Sequence, residues 1–129
     1  MIKKLTILTA ILSAIVISCS KPDVTEQPAN FLKFSWATAH VTNKKGSVAV
    51  VKIQSDIAWK LTIEKPLPTW MVIDKYNGIN SDSLIITATE DNTTGGYKFA
   101  GIVATAINNN GIPPVYLTVV QYDSTFKGK

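Results

Sequence analysis

Between Phe31 and Gln121 the apolar residues recur in short runs with a period of two, and nowhere do they keep a helical period for long. Residues 57–64 show it best. Ile57, Trp59, Leu61 and Ile63 alternate with Ala58, Lys60, Thr62 and Glu64, a strand with one buried and one wet face. The same reasoning predicts strands at about 31–36, 47–54, 70–74, 83–89, 98–107 and 114–121. In the last, Val115, Leu117 and Val119 point inward and Tyr116 and Thr118 outward, while Pro113-Pro114 keeps the preceding strand from running on. Turn residues divide the runs: Asn43-Lys44-Lys45-Gly46, Asn77-Gly78, Asn92 to Gly96 and Asn108 to Gly111. Asn and Gly adopt positive φ at little cost. Seven strands punctuated in this way predict an all-β, antiparallel β-sandwich.

A different pattern precedes the domain. Lys3 and Lys4 lead into Leu5–Ile17, apolar but for Thr6, Thr9 and Ser13. That run is too short to span a bilayer, which takes ~20 residues, and suits a signal-peptide core. Cys19, the sole cysteine, follows Val16-Ile17-Ser18. Val-Ile-Ser-Cys resembles the bacterial lipobox, in which a cysteine is lipidated and becomes the new N-terminus. The expected organisation is a leader at 1–18, a lipidated tether at 19–30, the sandwich at 31–122 and a tail at 123–129. Residues 20–30, polar and with two prolines, read as a solvated tether. The expected location is the outer membrane, held through lipid.

Charge and chemistry narrow the function. Without Lys3 and Lys4, 11 lysines face 9 acidic residues, a net +2, so part of the basicity is a targeting signal. No arginine is present, and the forked donors that read guanine or grip phosphate are missing, which points away from nucleic acid. With its one thiol given to lipid, the chain has no internal disulfide and folds on apolar burial. His40 is the only histidine, too little for a Ser-His-Asp cluster, a Cys-His pair or a metal site. Asp82, Glu90 and Asp91 offer hard oxygen ligands for calcium, but solvated strand ends explain them more simply. No enzyme activity and no cofactor are expected.

Trp59, the Pro66-Leu67-Pro68-Thr69-Trp70 segment, Gly78, Asn92, Lys98 and the closing Val119-Val120-Gln121 together resemble the BACON domain, the Bacteroidetes-associated carbohydrate-binding often N-terminal module. The likeness runs over about 31–122. It implies an immunoglobulin-like sandwich of the kind found in secreted and cell-surface proteins, for which carbohydrate or mucin binding has been proposed and which also serves as a spacer. Stacking on a sugar requires an exposed aromatic face. Trp59 and Trp70 fall in the apolar register and are assigned to the core, whereas Trp36, Tyr76, Tyr97, Phe99 and Tyr116 are expected on the surface. The ligand-binding candidates are Tyr76, Tyr97 and Tyr116. Two roles stay open, a structural or interaction module bound to an envelope protein and a glycan-presenting module. Coplanar exposed aromatics would favour the second, and a smooth apolar sheet face the first.

The lipid assignment predicts that mass spectrometry of the membrane-extracted protein finds Cys19 acylated at the mature N-terminus. Cys19→Ala should leave the membrane fraction, and an unmodified Cys19 would refute the assignment.

Overall fold

A computed structural model describes residues 30–109 and 111–123. The sequence expectations for the leader, Cys19, the tether and the tail beyond Asp123 lie outside the described residues. Nine strands form two facing sheets: β1 (Leu32–Phe34), β2 (Thr38–Val41), β3 (Val48–Ser55), β4 (Ala58–Ile63), β5 (Met71–Ile73), β6 (Asn77–Ile79), β7 (Asp82–Ala88), β8 (Lys98–Ala106) and β9 (Val115–Gln121). One sheet has the order β1-β3-β7-β5, the other β2-β9-β8-β4-β6. From β1 to β8 the chain changes sheet at every step, and only β8 and β9 are both consecutive and hydrogen-bonded. The protein is an immunoglobulin-like β-sandwich.

The seven runs read from the sequence all become strands, and two short ones join them. β2 completes a switch of sheet: after Phe34 the chain leaves β3 and pairs with β9, Thr38 opposite Thr118 and Val41 opposite Gln121. This pairing is parallel, the one departure from an antiparallel sandwich. β6 occupies Asn77-Gly78, expected as a turn. Gly78 stands opposite Trp59 of β4, and the indole lies so close that a Cβ on Gly78 would fall 2.5 Å from its Cζ2. Glycine is needed there for the closeness of the ring. The left-handed turn in this region belongs to Asn80 at φ 63°, whose carbonyl accepts the Trp59 Nε1 hydrogen bond at 2.8 Å.

Inward side chains fill the space between the sheets. Val51, Ile53, Leu84, Ile86, Met71 and Ile73 come from one sheet, and Trp59, Leu61, Ile102, Ala104, Leu117 and Val119 from the other. Trp59 and Trp70 are both buried, as their register predicted. Val115 is partly buried, Leu117 and Val119 fully so, and Tyr116 is exposed.

At one end of the sandwich a polar cluster ties the β7–β8 loop to β9. Asn92, 1% exposed, donates from Nδ2 to the carbonyls of Gly96 (2.7 Å) and Tyr122 (3.0 Å). Its Oδ1 accepts from the Thr94 amide and hydroxyl. Gln121, fully buried, donates to the Glu90 carbonyl at 2.8 Å. Buried amides are tolerated when their groups are paired: Asn92 is paired through both its nitrogen and its oxygen, whereas Gln121 is paired through its nitrogen and its Oε1 is buried with no partner among the described residues.

Gly78→Ala is expected to lower unfolding stability by about 1–3 kcal/mol through overpacking against Trp59, and Trp59→Ala by about 3–5 kcal/mol. Chemical denaturation followed by circular dichroism measures both. An unchanged midpoint for either would mean that the indole does not sit between β4 and β6.

Candidate functional site

The three tyrosines singled out from sequence are all exposed, but the structure does not gather them. Tyr76 lies between β5 and β6, its carbonyl accepting a hydrogen bond from Leu61 N at 2.7 Å. Tyr116 projects from β9 and, with Trp36, Phe34 and Pro114, lines an open depression of about 490 Å³. Tyr97 precedes β8 at the opposite end of that sheet face. There it meets Phe99 edge-on (6.4 Å between centroids, 81° between planes) and Tyr122 (5.8 Å, 69°). Tyr122 in turn stacks on His40 (5.2 Å, 23°). The sequence analysis gives His40 no site role and does not single out Tyr122. Only the parallel β2–β9 pairing brings them together, and no local pattern announces it.

A pyranose stacks on a flat aromatic face left open to solvent. In the Tyr97 cluster the near-perpendicular rings turn faces toward edges, and the stacked pair covers one face of each member. It is a packed aromatic corner, without coplanar open rings. Among the described residues, Tyr76 and Tyr116 make no ring contact with another aromatic.

The carboxylates are engaged separately. Asp82 pairs with Lys75 (3.2 Å) and accepts from the Ser83 amide. Glu90 pairs with Lys98 (3.4 Å). Asp91 accepts from the Lys45 amide (2.7 Å). No group of three His, Cys, Asp or Glu side chains suited to a metal is found among the described residues. The Asp82 carboxyl is held below its ordinary value of 3.8 by the Ser83 amide first and by Lys75 second. Burial of Lys75 works to lower its pKa, but the hydrogen bonds and charges of Asp82 and Asp74 outweigh it and hold the ammonium above 10.5. Lys75 also donates to the Ser83 carbonyl, so this cluster braces the start of β7.

The distinctive surface is elsewhere. Outward positions of the four-stranded sheet carry Val48 (53% exposed), Val50 (58%), Val72 (51%) and Ile85 (39%). Register joins them: Val48 and Val72 both stand opposite Thr87, and Val50 stands opposite Ile85. Four branched aliphatic side chains on three neighbouring strands thus form one apolar patch. Outward positions on the other sheet mix polar Thr38, Lys60, Thr62 and Thr118 with Ile79, Phe99 and Tyr116, all exposed.

No protein-family model matches the chain, and no curated protein does. Among solved structures, it is similar to part of a Bacteroides ovatus GH5 xyloglucanase solved with a XXXG heptasaccharide (TM-score 0.59, 16% identity), over 78% of this chain and 20% of that one. The Escherichia coli chaperone DraB matches at TM-score 0.53 and 15% identity, over 77% of this chain and 58% of that one. The ASH/PapD-like domain 7 of human CEP192 matches at TM-score 0.51 and 9% identity, over 83% and 94%. The chain spans only 20% of the xyloglucanase. At these identities the likeness is one of fold alone, that of an immunoglobulin-like β-sandwich.

Proposed function

We propose that this chain is a non-catalytic envelope lipoprotein, anchored in the outer membrane through Cys19, whose BACON-like sandwich is a structural or interaction module for another envelope protein. The observation that carries this reading is the apolar patch of Val48, Val50, Val72 and Ile85. Contiguous aliphatic surface exposed to water is unfavourable by about 25 cal/mol per Å², and on soluble domains such patches mark contact surfaces. The alternating pattern of this sheet is met by valine and isoleucine on the outside as well as the inside, where a solvated sheet carries polar residues. Neither nucleic acid nor a cofactor enters this function.

A second reading, a carbohydrate- or mucin-binding module, draws on Trp36 and Tyr116 around their shared depression. An open site of that kind would enclose little of a sugar and bind weakly, with Kd on the order of 0.1–1 mM. Tyr97 supports it less, since its neighbours are packed edge to face.

A photoreactive residue placed at Val72 or Ile85 in the producing cell should crosslink to one discrete protein, and the same residue at Thr62 should not. Equal crosslinking from all three positions, or none, would contradict the interaction reading. Polysaccharide binding in affinity electrophoresis that is lost in Tyr116→Ala would transfer the function to the glycan reading.

A further inference from the structure

The apolar patch ends at an open strand edge. β1 pairs with β3 only at its C-terminal part, Leu32 opposite Ser55 and Phe34 opposite Ile53. Ser35 adds one step, donating its amide to the Lys52 carbonyl (2.9 Å) and accepting the Lys52 amide on Oγ (3.1 Å). The chain then crosses to the other sheet as β2. Lys52 therefore turns its main-chain groups toward the β1 side. In a strand those groups alternate in direction, so Val50 and Val48 turn theirs the same way while Ala49 and Val51 face β7. Among the described residues nothing accepts from or donates to the main chain of Val48 or Val50 on that side. Two amides and two carbonyls stand ready beside exposed aliphatic side chains, the arrangement to which an extended segment adds as a strand.

The space beside this edge is open and shaped. Trp36, Thr38 and His40 on one side, with Ala49 and Val50 on the other, line a groove of about 380 Å³. Charge decides among occupants. Exposed lysines bracket the edge, Lys44 and Lys45 before β3 and Lys33 and Lys52 at the far end. A second copy pairing antiparallel about Ala49 would bring Lys52 of each chain opposite Gly46 of the other, beside Lys44 and Lys45. That sets like charges together at both ends, which is unfavourable. A segment with acidic residues at both ends is favoured instead. On the interaction reading above, we propose that the β3 edge at Val48 and Val50 receives an extended, acidic-flanked segment of the partner protein as an added strand, its alternate apolar side chains continuing the patch.

The test is hydrogen exchange, read residue by residue by mass spectrometry, on the full-length chain in mild detergent. The probe is the synthetic peptide Asp-Glu-Val-Thr-Val-Thr-Val-Glu-Asp. In the free chain the Val48 and Val50 amides should exchange at least 100-fold faster than those of Ala49 and Val51. The peptide should slow both at least tenfold, and the same peptide with lysine in place of its four acidic residues should not. Val50→Pro removes one of the free amides and leaves the β7 ladder intact, so it should abolish binding while near-ultraviolet circular dichroism stays native. Three results would each overturn the proposal: no slowing by the acidic peptide, protection of Val48 and Val50 in the free chain as a second copy would give, or undiminished binding to a folded Val50→Pro. If Val50→Pro fails to fold, the exchange of the unaltered chain still decides. Should the edge amides ignore the peptide while crosslinking from Val72 persists, strand addition falls and the interaction reading stands.

Discussion

The contact between the Trp59 indole and the bare backbone of Gly78 fixes the edge of the five-stranded sheet. The ring is fully buried, its one polar atom is satisfied by the Asn80 carbonyl, and a single methyl on Gly78 would collide with it. Because β4 is held on one side by β6 and on the other by β8, the ring sets how β6 lies along the sheet and where the chain turns at Asn80 into β7. The start of β7 is then braced by Lys75 between Asp74 and Asp82. One large side chain thus reaches, through short connections, both sheets of the sandwich.

Residues that carry the resemblance of the sequence to the BACON domain act in the same way. Trp59 and Gly78 meet at the sheet edge. Asn92 and Gln121 close the loop end, Lys98 is bound to Glu90, and Trp70 and Val119 lie in the core. They belong to the scaffold and not to its outer sheet faces. A likeness built on such positions speaks to fold, and what is bound has to be argued from the outward residues of this chain.

The fold was legible because burial alternates along strands as long as β3, β4, β7, β8 and β9, and a period of two in branched and aromatic residues is a local signal. β2 and β6 escaped because neither is held by its own composition. Thr38-Ala39-His40-Val41 becomes a strand by pairing with β9, far away in sequence, and Asn77-Gly78 by receiving the Trp59 ring. The core tryptophans and exposed Tyr116 followed from register, and exposed Tyr76 and Tyr97 from their places on or beside polar loops. That Tyr97 joins Phe99 and Tyr122, and Tyr122 joins His40, while Tyr76 and Tyr116 stand apart, depends on which strands are neighbours. The apolar patch was hidden for a related reason: Val48, Val50, Val72 and Ile85 look like core residues until sheet order shows that Val51, Ile73 and Ile86 take the inside.

That the patch is a covered surface in the working protein is tested most directly by hydroxyl-radical footprinting of the chain in its own membranes and again after purification. Val72 and Ile85 are predicted to label several-fold less in the membrane, where the partner lies over them, with Tyr116 labelled alike in both. Equal labelling of Val72 and Ile85 in the two states would contradict the account, and protection moving to Tyr116 would assign the contact to the aromatic surface instead.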